Sequence, residues 1–411
     1  MTAAVTMLGF ALPESDMIDI LERDPAMPVQ THTFGWTVVN ALRAAGVSVH
    51  LESAAPVSNF PRFRRIVFRS HRFAVGDVAG RSIGFINLLG LKHLTRFVSC
   101  LAGSTTSGQV ILIHGVHSPF LWFGALCRRL RGTPYAVILT DPPGVVLSGD
   151  GRVTAALKRL DVHLVKAALA RCDGVVALAP ALAADFAPGR PVLLLEGIID
   201  LTDPPVRQPS SSQPPRLIYA GGLTRSNGVD LLVKAIETIG TETRLATYGA
   251  GELSTWIAAR AAVSDRIDHP RLVTRTEVMH SYGSADLLIQ PRPVTHAAAA
   301  HSFPSKLLEY LASGTPVLST GLAGIPDEYR PYVYWIDDDG ASGLARAVER
   351  VLAKPVAERV AFGRAAAAFA RSRCGLEPQG NRLRTFLADI QFPTSAEATP
   401  TAATRTRPRM R

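Results

Sequence analysis

Several features that define common protein classes are scarce or missing in this chain. Cysteine occurs four times in 411 residues, at positions 100, 127, 172 and 374, and never as a CxxC pair. This spacing argues against a zinc site or a disulfide framework and suits a reducing cytosol. No run of 18 apolar residues exists, so no membrane-spanning helix is predicted. The N-terminal stretch MTAAVTMLGFALPESD has no basic segment before its short apolar run, so no secretory signal is predicted.

Acidic residues are fewer than basic ones, with 34 Asp and Glu against 44 Lys and Arg and a formal net charge of +10. Such a balance suits nucleic acid, an anionic membrane or anionic substrates. We find no zinc finger, ribonucleoprotein motif or recognition-helix pattern, so no nucleic-acid partner is expected. The three aspartates at 337–339 precede a predicted helix at 341–352, and we interpret them as a surface loop rather than a metal site.

The length predicts two domains, and the apolar fraction of 47% predicts a folded chain. The Pro- and Ser-rich stretch TDPPVRQPSSSQPP at 202–215 reads as a linker between a first domain at 1–201 and a second at 216–375. A helix at 376–390 is expected to pack back on the first domain. Residues 13–33, with three prolines, are predicted to be irregular, 135–139 to form a strand and 335–339 to form a turn. The tail at 391–411, with four arginines in TRTRPRMR, is predicted to be disordered.

The most informative stretch is HSFPSKLLEYLASGTPVLST at 301–320. Ser302, Pro304 and Ser305 form a capping turn before a short helix over 306–312, and a buried strand follows at 317–320. The helix start offers free N–H groups and the cation Lys306, which suit a phosphate. Glu309 lies one turn on, on the same side. The pair suits the diphosphate and the ribose of a nucleotide; the alternative is an ordinary helix with a surface Lys and Glu.

Other candidates lie where predicted strands end. Gly221 and Gly222 form a tight turn between a strand and a helix, which is compatible with a phosphate. His114, His117 and Asp141 follow strands of the first domain, and ligands of parallel sheets lie outside the carboxyl ends of strands. The alternative for each is a loop residue without chemistry.

The stretch at 301–320 resembles the donor-site signature of the family 4 (group 1) retaining glycosyltransferases, in the variant FPSKLxEYxASGxPV. The resemblance is strong over 216–330 and faint before that. It implies an α/β chain of GT-B type, with two Rossmann-like domains facing each other across a cleft. It also implies transfer of a sugar from a nucleotide diphosphate sugar to a hydroxyl acceptor, with retention and without a metal or other cofactor.

Carried over residue by residue, the resemblance implies catalytic roles for Lys306, on the leaving phosphate, and for His117, with His114 as the competing match. It implies acceptor-side positions at Gly35 and His114, and Asp141 is a further acceptor-side candidate because it follows a strand of the first domain. The implied donor-binding residues are Gly221, Gly222, Arg225, Arg275, Arg292, His301, Ser302, Phe303, Ser305, Lys306, Leu307 and Glu309.

Three positions depart from the family pattern. Gly222 stands where an arginine is usual, Asn227 where a lysine is usual, and His301 where a glutamate is usual. Two cations are therefore missing at the expected diphosphate site, and Arg225 and Arg292 are the substitutes that we expect. The departures keep open an inactive nucleotide-sugar-binding scaffold, and the fold also keeps open a nucleotide-sugar epimerase.

A basic and apolar region lies in the first domain. Residues 59–72 carry five arginines among phenylalanines, and 80–101 is predicted as one long apolar helix with Arg81, Lys92, His93 and Arg96. Together these could rest on anionic lipid; the alternative is a domain helix whose apolar face is core. We expect a cytoplasmic protein, with peripheral membrane association as one option. Assembly of an envelope polysaccharide or glycolipid is an expectation by analogy.

Overall fold

The computed structural model describes residues 4–24, 29–103, 110–143, 152–200, 214–270, 273–295, 301 and 303–392. Its strands form two large sheets, one in each half of the chain, and a short two-stranded ribbon. Most of the predicted linker and of the predicted disordered tail lies outside the described residues.

The strands of the first half follow the apolar runs of the sequence, and all neighbours in the large sheet are parallel except β4 with β5. The sheet order is β10-β9-β8-β7-β1-β2-β5-β4, and β3 pairs with β6 in the ribbon. The strands are β1 (Ala4–Gly9), β2 (Ser48–Ala54), β3 (Val67–Phe68), β4 (His71–Val75), β5 (Val78–Ile83), β6 (Phe85–Ile86), β7 (Val110–His114), β8 (Tyr135–Leu139), β9 (Gly174–Ala177) and β10 (Val192–Leu194).

The second half repeats the pattern with an all-parallel sheet in the order β13-β12-β11-β14-β15-β16. Its strands are β11 (Arg216–Ala220), β12 (Arg244–Tyr248), β13 (Ile267–Asp268), β14 (Leu287–Gln290), β15 (Val317–Thr320) and β16 (Tyr334–Ile336).

Helices connect the parallel strands, as such crossovers require. They are α1 (Glu14–Arg23), α2 (Val29–Ala44), α3 (Leu91–Ala102), α4 (Ser118–Arg131), α5 (Arg152–Leu169), α6 (Pro180–Phe186), α7 (Val229–Thr238), α8 (Ser254–Ala261), α9 (Arg275–Gly283), α10 (Ser305–Ala312), α11 (Ala341–Leu352), α12 (Val356–Cys374) and α13 (Leu376–Gln391).

Each large sheet is buried on both faces, because alternate residues of its central strands enter different apolar clusters. In β7, Ile111 and Ile113 enter one cluster while Val110 and Leu112 enter another. In β14, Leu287 and Leu288 likewise belong to different clusters. Helices therefore cover both faces, and each half is a doubly wound Rossmann-like domain.

The chain crosses between the domains twice, and the two crossings lie side by side. After β10 it enters the second domain, and at Gly375 it returns so that α13 packs on the first sheet. The N–H of Ile199 donates to the carbonyl of Cys374 at 2.6 Å, and Gln379 Nε2 donates to the carbonyl of Gly197 at 3.0 Å. Buried Glu196 adds an ion pair of 2.5 Å with Arg373.

The structure corrects three predicted elements. Residues 13–33, predicted as irregular, contain α1 and the start of α2. Pro13 is the N-cap of α1, ahead of the first backbone N–H that takes part in a helical hydrogen bond, so its missing N–H costs the helix nothing. Residues 80–101, predicted as one helix, contain the end of β5, then β6, and α3 only from Leu91. The predicted turn at 335–339 begins with the last two residues of β16, which pairs with β15.

Candidate functional site

Helix α10 presents a charged edge next to a buried apolar face. Leu307, Leu308 and Leu311 are buried in the core of the second domain. No side chain caps the helix start at Pro304, and Ser305 is exposed there. Free N–H groups at such a start favour an anion.

The charged residues of this edge form a short chain of ion pairs. Lys306 Nζ lies 2.7 Å from Glu309 Oε2, and Arg275 Nη2, at the start of α9, lies 3.2 Å from Glu309 Oε1. Glu309 is thus held between two cations, and the group keeps a net positive charge. A carboxylate in this position has oxygens available for ribose hydroxyls, and the flanking cations suit phosphate.

A cavity between the domains adjoins this charged edge. It is lined from the first domain by residues of α2, from the crossing by Ile198 and Asp200, and from the second domain by Arg275. Its volume is about 260 Å³. Ligand pockets usually have roughly 300–1,000 Å³, so this cavity has room for one part of a nucleotide sugar. The α2 residues are His32, Thr33, Trp36 and Thr37.

Glycines bring three loops of the second domain together at the carboxyl edge of its sheet. Gly249, after β12, has φ 134° and would place a Cβ 2.0 Å from the carbonyl oxygen of Gly221. Gly228 has φ 73° and would place one 2.1 Å from the carbonyl oxygen of Pro291. Side chains are excluded at both positions, so the Gly221–Gly222 turn stays close to its neighbours.

Arg292 reaches this turn from the loop after β14. Its Nε and Nη2 both donate to Asn227 Oδ1, at 3.2 and 3.0 Å, and Asn227 Nδ2 donates to the carbonyl of Gly222 at 2.9 Å. A guanidinium therefore lies next to the two positions where the family pattern has an arginine and a lysine. Sequence analysis gave Arg292 as one substitute for the two missing cations, and in the structure Arg292 lies beside the glycine turn.

The other expected donor residues are arranged differently. Exposed Arg225 lies 3.7 Å from Asp230 of α7, so its charge is partly neutralised there. His301 Nε2 lies 2.7 Å from Asp185 of α6, which places this side chain against the first domain. Leu307 has no exposed side chain and Phe303 is buried, so their side chains do not line the cleft. Ser302 lies outside the described residues.

His117 lies at the N-cap of α4 with its ring among other rings, 5.4 Å from Phe10 and 5.3 Å from His93. Arg96 Nη1 lies 3.1 Å from His117 Nε2. Since a guanidinium only donates, Nε2 must be the unprotonated nitrogen and Nδ1 carries the hydrogen. Burial, assisted by nearby cations, holds the pKa of His117 well below its usual value. The neutral ring is therefore a hydrogen-bond donor through Nδ1.

His114 and Gly35 belong to the packing of the first domain. Burial lowers the pKa of His114 to about 4, and its Nδ1 has no hydrogen-bond partner among the described residues. Gly35 lies inside α2, which begins six residues earlier at Val29, and a Cβ at Gly35 would meet His114 Nδ1 at 3.4 Å. Asp141 is exposed after β8.

The inner side of α3 is basic rather than apolar. Lys92 and Arg96, which one of the two sequence interpretations placed on a lipid-facing surface, are 6% and 3% exposed. Lys92 Nζ donates to the carbonyl of Val57 and to Asn59 Oδ1, and Arg96 Nη2 donates to the carbonyl of Ala55. Burial lowers the pKa of Lys92 to about 7. With His93 and neutral His117 these residues form a cluster of basic side chains near the carboxyl edge of the first sheet.

Within the described residues, no group of three or more His, Cys, Asp or Glu side chains is arranged to hold a metal ion. The same part of the chain has no helix that meets the length and hydropathy of a membrane span.

Comparison with known proteins agrees with this architecture. Residues 214–354 match the family model described as "Glycosyl transferases group 1". No curated protein matches at a significant level. Among solved structures, sucrose-phosphate synthase from Thermosynechococcus elongatus is similar at 15% identity and a TM-score of 0.63, over 93% of this chain and 97% of that one.

Two further structures contain nucleotides. The catalytic domain of starch synthase IV from Arabidopsis thaliana, bound to ADP and acarbose, is 12% identical with a TM-score of 0.62, over 95% of this chain and 99% of that one. Anabaena Alr3699/HepE in complex with UDP is 12% identical with a TM-score of 0.58, over 93% and 98%. These likenesses and the two doubly wound sheets define the GT-B fold. With the family match in the second domain, they support a GT-B glycosyltransferase.

Proposed function

We propose that the protein is a retaining glycosyltransferase that moves a sugar from a nucleotide diphosphate sugar to a hydroxyl acceptor without a metal. The observation that carries this proposal is the charged edge of α10, where Lys306, Glu309 and Arg275 adjoin a cavity between the domains. The ADP and UDP in two similar structures support a nucleotide donor.

The barrier to such a transfer is cleavage of the bond between the sugar and the diphosphate. Negative charge develops on the departing phosphate oxygen, and fixed donors nearby lower the barrier. Lys306 and the free N–H groups at the start of α10 supply positive charge on one side of the phosphate. Arg292 supplies it from the side of the glycine turn. Glu309 accepts hydrogen bonds from the ribose hydroxyls.

The first domain contributes the acceptor side. Neutral His117 donates a hydrogen bond through Nδ1 to a hydroxyl of the sugar or of the acceptor. His117 Nε2 is engaged by Arg96, so His117 orients a hydroxyl and does not remove its proton. The guanidinium of Arg96 behind it favours an acceptor with negative charge, such as the phosphate of a lipid-linked sugar used in envelope polysaccharide assembly.

A thermal-shift screen against nucleotide sugars and free nucleotides tests the donor site. We expect a nucleotide diphosphate sugar to raise the melting temperature, and Glu309→Ala to weaken that shift. Incubation with the stabilising donor should release free sugar and nucleoside diphosphate slowly, and proton NMR of an acceptor product should show the anomeric configuration of the donor. Loss of every nucleotide-dependent shift would contradict the proposal, and inverted product would contradict retention.

One alternative is a binding subunit without turnover. It is favoured by Gly222, by Asn227 and by the engagement of His301 with Asp185. Tight donor binding without release of nucleoside diphosphate in the presence of acceptor extracts would support it. Formation of an epimerised sugar and free nucleotide without any acceptor would instead indicate an epimerase.

A further inference from the structure

Helix α3 is amphipathic, but unlike an ordinary surface helix it buries its charged face and exposes its apolar face. Its charged side chains Lys92 and Arg96 face inward, whereas its outer face carries leucine and valine. These apolar residues recur at intervals of three and four, so they form one continuous stripe along the helix. We define the outer stripe as Leu91, Leu94, Val98 and Leu101, which are 43%, 55%, 53% and 45% exposed.

Other exposed apolar side chains extend the outer stripe. Leu89, just before α3, is 58% exposed, and Val67 of the neighbouring ribbon is 56% exposed. The ribbon is tied to one side of α3, because Ile86 N donates to Thr95 Oγ1 at 3.0 Å and Val67 pairs with Ile86. Single exposed leucines are common on protein surfaces, but a contiguous apolar stripe marks a binding surface.

Cations border the outer stripe. The segment that contains the ribbon strand β3 carries exposed arginines, and it contacts α3 again where Ser70 Oγ lies 3.3 Å from Ser99 Oγ. Residues 53–140 contain eleven Lys and Arg but a single acidic residue, Asp77, so this stretch alone carries a net charge of +10. The exposed arginines of the segment are Arg62, Arg64, Arg65, Arg69 and Arg72.

We propose that the outer stripe of α3 and its arginine border dock on an anionic lipid bilayer. Apolar side chains enter the boundary between headgroups and acyl chains, while arginines contact anionic headgroups. A second copy of this chain fits less well, because a symmetric contact through the stripe would bring two arginine borders together. The proposal deepens the proposed function, since a lipid-linked acceptor would be presented at this surface.

The docking surface is close to the acceptor side of the candidate site. The inner face of α3 contacts His117 through Arg96 and His93, at 3.1 Å between Arg96 Nη1 and His117 Nε2 and 5.3 Å between the two histidine rings. A helix is about 10 Å across, so a bilayer on the outer face lies roughly one helix diameter from His117. An acceptor head attached to a membrane lipid could reach that distance without leaving the bilayer.

Vesicle sedimentation tests the proposal without any donor or acceptor. The full chain is mixed with vesicles of phosphatidylcholine alone, or with vesicles that also contain about 30% of the anionic lipid phosphatidylglycerol. We expect binding to the anionic vesicles that weakens as salt rises. Leu94→Ser with Leu101→Ser should lower the partition coefficient by about tenfold or more, because each lost leucine removes several buried CH₂ groups.

Matched variants separate docking from general effects of polarity and charge. Val263→Ser, at a position that is 83% exposed in the second domain, should leave vesicle binding unchanged. Arg62→Glu with Arg69→Glu should abolish the preference for anionic vesicles, whereas Arg244→Glu with Arg364→Glu, at exposed positions of the second domain, should retain most of it. Melting temperatures of all variants control for folding.

Three results would overturn the proposal. They are absence of binding to anionic vesicles, binding that Leu94→Ser with Leu101→Ser leaves intact, and a dimer in lipid-free solution that this variant dissociates. Donor hydrolysis by the vesicle-binding-deficient variant should stay near the wild-type rate. If this variant keeps donor hydrolysis but loses vesicle binding, docking is supported independently of the proposed chemistry. If the wild type shows no donor hydrolysis, that result counts only against the proposed chemistry.

Discussion

Arg292 offers the sharpest test of the proposed chemistry, because it is the cation that the fold places beside Gly222. Replacement by alanine removes one positive charge and both hydrogen bonds to Asn227. Two unit charges about 5 Å apart at an effective dielectric of about 20 interact by roughly 3 kcal/mol. If Arg292 faces the leaving phosphate at such a distance, Arg292→Ala should lower turnover by about two orders of magnitude. Steady-state release of nucleoside diphosphate measures this.

The double variant Arg292→Ala with Asn227→Lys provides the matched rescue. A lysine at 227 returns a cation to the position where the family pattern has one, so turnover should recover by tenfold or more over Arg292→Ala. Asn227→Ala serves as the control, since it removes the hydrogen bonds and leaves the guanidinium. Turnover within threefold of wild type in a folded Arg292→Ala variant would refute the reasoning, as would equal losses in Asn227→Ala and Arg292→Ala.

Further predictions concern charges elsewhere in the molecule. Lys306→Ala should lower turnover well over tenfold with an unchanged melting temperature, and near-normal kinetics would remove its role on the leaving phosphate. Glu309→Ala should weaken donor affinity in a titration followed by calorimetry, and an unchanged affinity would remove the ribose assignment. Glu196→Gln should lower the free energy of unfolding by about 1.5–3 kcal/mol in urea, because it removes the carboxylate charge that pairs with partly exposed Arg373. Burial lowers the pKa of Lys92 to about 7 in the folded protein, so between pH 7 and 10 the unfolded chain binds one proton more at this residue than the folded chain. The free energy of unfolding of the wild type should therefore rise with pH over this range, by at most about 1.4 kcal/mol per pH unit. Lys92→Met should lose that slope when urea midpoints are compared at pH 6.5–9.5, and identical slopes would contradict the assignment.

The sequence predicted the architecture because parallel sheets leave strong local signals. Continuous apolar runs such as 135–139 and 317–320 became strands at the expected positions, since both faces of such strands are buried. The helix at 341–352 was also predicted with the observed bounds. The fold class that the resemblance implied is confirmed by the two doubly wound sheets and the similar structures.

The errors arose where local pattern and tertiary context disagree. Pro13 was interpreted as part of an irregular segment, although a proline at the N-cap leaves every helical hydrogen bond intact. For α3 the sequence left open a core face or a surface on which leucines and cations together meet lipid. Packing against β6 and α4 instead turns Lys92 and Arg96 inward and the leucines outward. A single sequence does not show whether the apolar face of a helix is turned inward or outward, because periodicity defines the face but not what covers it.

Within the candidate site, the sequence located side chains but not their partners. The pairing of Lys306 with Glu309 follows from helix spacing, whereas the contact of Arg275 with Glu309 joins two helices through residues 34 positions apart in the sequence. Likewise, the two hydrogen bonds from Arg292 to Asn227 Oδ1 depend on two loops that come together only in the folded protein. Assignment of these residues to donor, acceptor or leaving group stays a prediction.

The paired crossings between the domains have a mechanical consequence. Because Ile199 is hydrogen-bonded to Cys374 and Gln379 to Gly197, the outgoing and returning strands of backbone are fastened to each other at one edge of the molecule. Any widening of the gap that admits a substrate must therefore be a rotation about this seam, with the farthest points of the two lobes travelling most. Loosening the seam, for example at Gln379, would change how fast the gap opens without altering a group that touches the reactants.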